Sequence, residues 1–141
     1  MSFTHLHLAS GFSFKYGTTL PHLLVEQARE LGMDSLALTD RDGLSGAIRF
    51  TQSCIDNHIA PILGVDIECD NNTRMTLLAT PGSGWSSLVR IVTELKKYGA
   101  PCNLKFLQDN SHYTKNLLAL HGPDSDLGRA LTSRRYDKAL T

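Results

Sequence analysis

Ser35-Leu36-Ala37-Leu38-Thr39-Asp40 is a compact apolar run that ends on a carboxylate and leads into the polar loop Asp40-Arg41-Asp42-Gly43. A run this short, placed between a glycine stop and a polar loop, reads as a buried strand whose C-terminal end feeds that loop. Upstream, Leu20, Leu24, Ala28 and Leu31 recur at helical spacing, with Pro21 in the first turn, where it is tolerated, and Gly32 as the stop. This predicts a helix over 19–31. Downstream, Leu44, Ala47, Ile48, Thr51, Cys54 and Ile55 predict a second helix over 45–58, and Pro61-Ile62-Leu63-Gly64-Val65-Asp66-Ile67 repeats the strand pattern. Strands alternating with helices argue for a parallel α/β sheet or barrel, in which the loops leaving the C-terminal strand ends gather at one mouth.

Toward the N-terminus, Phe3 to Leu8 reads as a first buried strand, with Thr4-His5-Leu6-His7-Leu8-Ala9-Ser10 the stretch best suited to chemistry. Histidines two residues apart on a strand share one side and could grip one ion together, but a catalytic metal needs a third ligand and an open position. The Asp40 loop and Asp66 are placed to meet the pair at the mouth. Beyond Asp66, Asn71 to Thr73 is a polar turn, Met75 to Ala79 a strand, and Pro81 to Gly84 a breaker. Trp85, Leu88, Ile91, Val92 and Leu95 then mark a helix ending at Lys96, Lys97 and Gly99. Residues 99–115 have no convincing period and read as loop, with a marginal element at Leu104 to Leu107. Asn116 to Leu120 is a further strand, Asp124 to Leu131 a last helix, and Ser133 to Thr141 carries mixed charge with no stop signal.

The 141 residues suffice for one domain, and 41% hydrophobic with 20% charged residues is the make-up of an ordinary globular chain. Fourteen basic and fourteen acidic residues cancel, so no whole-domain positive field draws in nucleic acid. Cys54, Cys69 and Cys102 are odd in number and far apart in sequence, which indicates neither a disulfide framework nor a thiolate zinc site. No apolar run is long enough for a membrane span and no leader pattern is visible, so a reducing cytoplasm is the expected location. Ser10 and Ser13 lie in no nucleophile elbow and read as loop caps. The glycines at Pro81 to Gly84 lack a phosphate-binding spacing, Trp85 reads as core, and Arg129, Arg134 and Arg135 as a solvated cluster.

Several of these stretches together resemble a known family. Phe3-Thr4-His5-Leu6-His7-Leu8 with Ser10 and Ser13, Ala28-x-x-Leu31-Gly32-Met33 leading to Leu36-Ala37-Leu38-Thr39-Asp40, and Pro61-Ile62-Leu63-Gly64-Val65-Asp66 are similar to the PHP (polymerase and histidinol phosphatase) domain. The form resembled is the one that begins the alpha subunit of bacterial DNA polymerase III and its error-prone relatives. Gly84-Trp85 to Val92 is similar to that family's Gly-aromatic helix, and Leu117-Leu118-Ala119-Leu120-His121-Gly122-Pro123 to a stretch of its error-prone branch. The resemblance is best over 2–98 and looser over 116–131.

It implies an α/β fold: an irregular (β/α) barrel with parallel strands, of which residues 1–141 hold the first half to two thirds. It also implies a divalent-metal site, for zinc, manganese or iron, at the C-terminal strand ends, supporting phosphoester hydrolysis or 3′–5′ exonuclease activity where intact. Carried over residue by residue, the ligands kept are His5, His7 and Asp66, the last standing for a glutamate. Three ligand positions are altered: Tyr16 for an aspartate, and Arg41 and Arg74 for histidines. Asp40 and His121 are possible additional ligands, His121 near a position now held by Pro123. Arg41 and Arg74 are expected to neutralise Asp40, Asp42 or Asp66 and so replace the metal's charge. The implied partner is the remainder of a polymerase chain, with DNA reached through that parent. A partial barrel also leaves an unpaired strand edge open to self-association.

Overall fold

A computed structural model describes residues 3–99, 101–135 and 137. Helix α1 (Pro21–Glu30) leads to strand β1 (Ser35–Arg41), helix α2 (Ala47–Asp56) and strand β2 (Ala60–Cys69). A single 3-10 turn, Asp70–Asn72, joins β2 to β3 (Thr73–Ala79), which is followed by the long helix α3 (Gly84–Tyr98). Two short helices, α4 (Leu104–Asp109) and α5 (Ser111–Thr114), precede strand β4 (Leu117–Leu120) and helix α6 (Asp126–Thr132). The region expected to be loop is thus partly helical, and its start is set by Asn103, whose side chain accepts from the Phe106 amide at 2.9 Å. The last residues of the expected C-terminal tail, 138–141, lie outside the described residues.

The four strands form one sheet in the order β1-β2-β3-β4. Only β1 and β2 run parallel, and β3 and β4 each pair antiparallel with the strand before them. This corrects two expectations: the strands are not all parallel, and the sheet is open. The reason lies in the connections. The crossover through α2 is long enough to return a parallel strand, whereas three residues between β2 and β3 permit only a hairpin. Asn71 and Asn72 adopt φ of 60° and 57°, the left-handed region that asparagine tolerates better than most residues.

Residues 3–8 are not a strand. They run beside β1 and satisfy part of its edge, with the amides of Ala37 and Thr39 donating to the carbonyls of His5 and Leu8 at 3.0 and 2.8 Å. Two residues of β1 are spanned there by three of the N-terminal segment. That extra residue falls at the bend Leu6–His7 and breaks the alternation of side chains.

Apolar burial divides into two clusters. Val25, Ala28, Leu36, Leu38, Phe50, Cys54 and Ile59 pack between α1, α2 and β1. Val65, Ile67, Met75, Leu77, Leu88 and Ile91 pack α3 against β2 and β3. Because side chains alternate along a strand, burying Val65, Ile67, Met75 and Leu77 against α3 turns Asp66, Arg74 and Thr76 to the other face.

Candidate functional site

On that other face the register places Arg41 beside Asp66, Asp66 beside Thr76, and Thr76 beside Leu120, a row crossing all four strands. One row further along β2 and β3, Glu68 pairs with Arg74. His7, Arg41, Asp66, Arg74, Thr76 and His121 line a cavity of about 370 Å³ above this row.

Asp66 is buried and takes the charge of both arginines. Its Oδ2 accepts from Arg74 Nε at 2.7 Å and lies 3.4 Å from Arg41 Nε. Arg74 Nη2 donates to Asp42 Oδ2 at 3.0 Å and to the Asp66 carbonyl at 2.7 Å. Burial works against the charge of Arg74, but its hydrogen bonds to Asp66 and Asp42 outweigh that cost and raise its pKa. Arg41 Nε is buried without a hydrogen bond, and its guanidinium lies 3.5 Å from the centre of the Tyr16 ring. The three positions where the resemblance loses a ligand are therefore occupied by groups that neutralise Asp66 or stack on a group that does.

The remaining expected site residues divide. His7 reaches the cavity and shares a hydrogen bond of 2.8 Å between its Nδ1 and Thr76 Oγ1. His121 lines the same cavity. His5 does not share a side with His7. It packs edge-on against Phe3, with ring centroids 4.7 Å apart, and lines a different cavity with Leu8, Leu24 and Met33. The one-residue irregularity at Leu6–His7 accounts for the separation.

Asp40 is also absent from the cavity lining, since neighbours on a strand point to opposite faces. Among the described residues no arginine forms an ion pair with it. Its Oδ1 accepts from the Ser10 amide at 2.7 Å, and from the hydroxyls of Ser10 and Ser13 at 3.0 and 2.7 Å. Ser13 Oγ in turn accepts from the Arg41 amide at 2.9 Å. Ser10 and Ser13 thus cap backbone amides, Ser10 Oγ accepting from the Phe12 amide at 3.2 Å, and grip a buried carboxylate as well. Thr76 and Asp42 belong to the site's bonding although sequence reasoning gives Thr76 no part. A signal for it exists, since in a β2–β3 hairpin Thr76 falls opposite Asp66.

Among the described residues, no three His, Cys, Asp or Glu side chains stand together as a metal-ligand group. The one buried carboxylate in the cavity already faces two guanidinium groups, so the donor set does not fit the divalent-metal site that the resemblance implies. No described helix is long and apolar enough to cross a membrane.

Comparison with known proteins agrees with this architecture. Residues 5–141 match the profile of the PHP domain. The error-prone DNA polymerase of Symbiobacterium thermophilum is 41% identical over 93 residues, covering 66% of this chain and 9% of that protein. The DNA polymerase III subunit alpha of Buchnera aphidicola subsp. Acyrthosiphon pisum is 31% identical over 139 residues, covering 92% of this chain and 12% of that protein. The chain therefore matches only about a tenth of the length of these curated relatives, a segment of a much larger polymerase in each case. A solved structure from Bifidobacterium adolescentis, described provisionally as a metal-dependent phosphoesterase, superposes with a TM-score of 0.51 at 27% identity, over 67% of this chain and 32% of that one. An amidohydrolase from Chromobacterium violaceum gives the same TM-score at 18% identity, a likeness of fold. With a profile match over nearly its whole length, the chain belongs to the PHP domain family.

Proposed function

We propose that this chain is the N-terminal PHP segment of a bacterial DNA polymerase alpha subunit of the error-prone type, and that within the larger polymerase it serves as a metal-free structural and interaction module. The observation that carries the reading is the pair of arginines on Asp66, with Arg74 Nε at 2.7 Å and Arg41 Nε at 3.4 Å from one carboxylate oxygen. They supply the positive charge a metal would bring, while offering no open coordination position and no way to activate water. In this reading template-directed synthesis belongs to the parent chain, and residues 1–141 hold the first half to two thirds of the PHP domain. The similarity to polymerase segments supports the parent; the ion cluster supports the loss of hydrolysis.

The test is elemental analysis of the chain purified without chelator, combined with a phosphoesterase assay. Far less than one equivalent of zinc, manganese or iron per chain is expected, together with an unchanged melting temperature in chelator. Manganese should produce no hydrolysis of a generic phosphoester or a labelled single strand above that of His7→Ala. Two or three metal equivalents, with manganese-dependent turnover lost in His7→Ala, would return the chain to the hydrolases. Sequencing the reading frame past Thr141 tests the parent: continuation into a polymerase catalytic module is expected, and an immediate stop opposes it.

A second reading rests on Arg41, whose Nε makes no hydrogen bond and whose guanidinium is propped on Tyr16 beside the cavity. Such a group suits a phosphate oxygen. Inorganic phosphate would then raise the melting temperature of the wild type and not that of Arg41→Ala.

A further inference from the structure

Cys69 and Cys102 are far apart in sequence but adjacent in the fold. Cys69 ends β2, and Cys102, in the loop before α4, forms an isolated parallel bridge with it. Two backbone hydrogen bonds fix that pairing: the Cys102 amide donates to the Glu68 carbonyl at 2.8 Å, and the Asp70 amide donates to the Cys102 carbonyl at 3.2 Å. Directly paired residues on adjacent strands carry their side chains on the same face, and the ordinary strand spacing of ~4.8 Å falls within the Cα separations of disulfides, ~4.4–6.8 Å.

The two sulfurs differ in setting. Cys102 is buried in the cluster beneath α3, whereas Cys69 is partly exposed. Both border a cavity of about 380 Å³ that also meets Arg74, His121, Ser125 and Asp126. Cys69 Sγ donates to the Ile67 carbonyl at 3.8 Å, and the nearness of the two sulfurs pulls the Cys69 pKa down while pushing that of Cys102 up. Burial and Asp126 oppose the Cys69 thiolate, and Arg74 supports it. A partly exposed thiol of lowered pKa paired across the bridge with a buried thiol of raised pKa is the arrangement of an attacking and a resolving cysteine.

We propose that Cys69 and Cys102 are a redox pair that closes to a disulfide when the chain meets a peroxide, stapling the loop before α4 to the end of β2. The Cys69 thiolate attacks one peroxide oxygen and breaks the O–O bond, giving Cys69 sulfenic acid and hydroxide. Cys102 Sγ then attacks the Cys69 sulfur, its proton passing to the departing hydroxyl, so the S–S bond forms as water leaves. In sum, two thiols lose two electrons and two protons, and one hydrogen peroxide becomes two waters. Cys54 takes no part, since it is fully buried between α1, α2 and β1.

The test uses the whole 141-residue chain, fully reduced, then treated with a small excess of hydrogen peroxide and alkylated after unfolding. Intact-mass and peptide spectrometry should show the loss of two hydrogens, one cross-linked peptide pair carrying Cys69 and Cys102, and a single alkylated site at Cys54. The cross-link closes a loop of 34 residues (69 to 102), so the oxidised chain should melt about 10 °C above the reduced one and revert with dithiothreitol. Cys102→Ser should lose the cross-link and accumulate Cys69 sulfenic or sulfinic acid. Wild-type chain that adds oxygens at Cys69 without closing, links through Cys54, forms only intermolecular dimers on a non-reducing gel, or stays fully reduced overturns the proposal. The wild-type measurement decides the matter even if Cys102→Ser fails to fold.

Discussion

Asp66 has a side chain only 3% exposed, and its charge is balanced by Arg74, 15% exposed, and Arg41, 30% exposed. A carboxylate in that setting is tolerable only while it is paired. Arg74→Met removes the 2.7 Å hydrogen bond to Oδ2 and the one to the Asp66 carbonyl, leaving Arg41 at 3.4 Å as the remaining cation on that carboxylate. Urea unfolding should show a loss of about 3 kcal/mol for Arg74→Met, much of it recovered in Arg74→Met/Asp66→Leu, since the buried carboxylate is then gone and the cation left behind, Arg41, is 30% exposed and stacked on Tyr16. Loss in the double variant equal to or larger than in the single would make the ion cluster a net source of stability instead of a compensated cost. A second prediction concerns Cys54, whose thiol burial pushes up to about 11 from 9.0. Between those values the folded chain keeps a proton that the unfolded chain releases. This part of the stability is complete below pH 9 and falls as pH rises toward 11. Measured against Cys54→Ala, which cannot titrate there, the wild type should lose about 2 kcal/mol of its relative stability between pH 8 and pH 11.

At the scale of elements, β2 joins the parallel and antiparallel halves of the sheet, and Gly64 lies at its tightest point. A Cβ there would meet the Leu77 carbonyl at 2.7 Å, Leu78 Cδ2 at 2.7 Å and Thr39 Cγ2 at 2.8 Å. The first of these is backbone, so the neighbouring strand itself must move. Gly64→Ala is expected to cost about 2–3 kcal/mol in denaturant unfolding, and a loss under 0.5 kcal/mol would mean that β2 and β3 separate easily. The helices and strands α1, β1, α2, β2, β3, α3, β4 and α6 fall close to the bounds their residue patterns predict, because apolar runs between polar or glycine stops carry local information. Strand direction is different. Alternation of strands and helices suggests a parallel sheet throughout, yet Asp70-Asn71-Asn72 between two apolar runs is hairpin chemistry and excludes a parallel β3. The separation of His5 from His7 has another origin. Its cause is one extra residue in the pairing of 3–8 with β1, which depends on where distant amides fall and leaves no mark on the local pattern. In the site, the charge substitutions are legible from residue type alone. The partners are only partly so: Arg41 and Arg74 do meet Asp66, but Asp40 is held by Ser10 and Ser13 because it points to the opposite face.

For the whole molecule, the two edges of the sheet are unequal. Beside β1, the segment 3–8 covers part of the edge through Ala37 and Thr39. Among the described strands, none pairs with the far side of β4. The bond from the Thr80 amide to the Asn116 carbonyl fixes the phase of the β3–β4 ladder, so Leu118 and Leu120 face β3 while the amides of Leu117 and Ala119 point outward. Leu118 adds a side chain that is 58% exposed. An uncovered, apolar, short edge of this kind pairs with another strand when one is offered. The chain on its own is therefore expected to associate with increasing concentration, through β4 meeting β4 of a second copy. Ala119→Pro is the discriminating variant: it removes an outward amide and fills the edge, while the amides that bond to β3 stay in place. Sedimentation over a range from about 1 to 300 μM should show the wild type gaining mass and Ala119→Pro remaining a monomer of equal thermal stability. Association undiminished in Ala119→Pro would move the contact elsewhere, to the exposed Ile48 and Ile55 of α2 or the exposed Leu23 and Leu31 around α1.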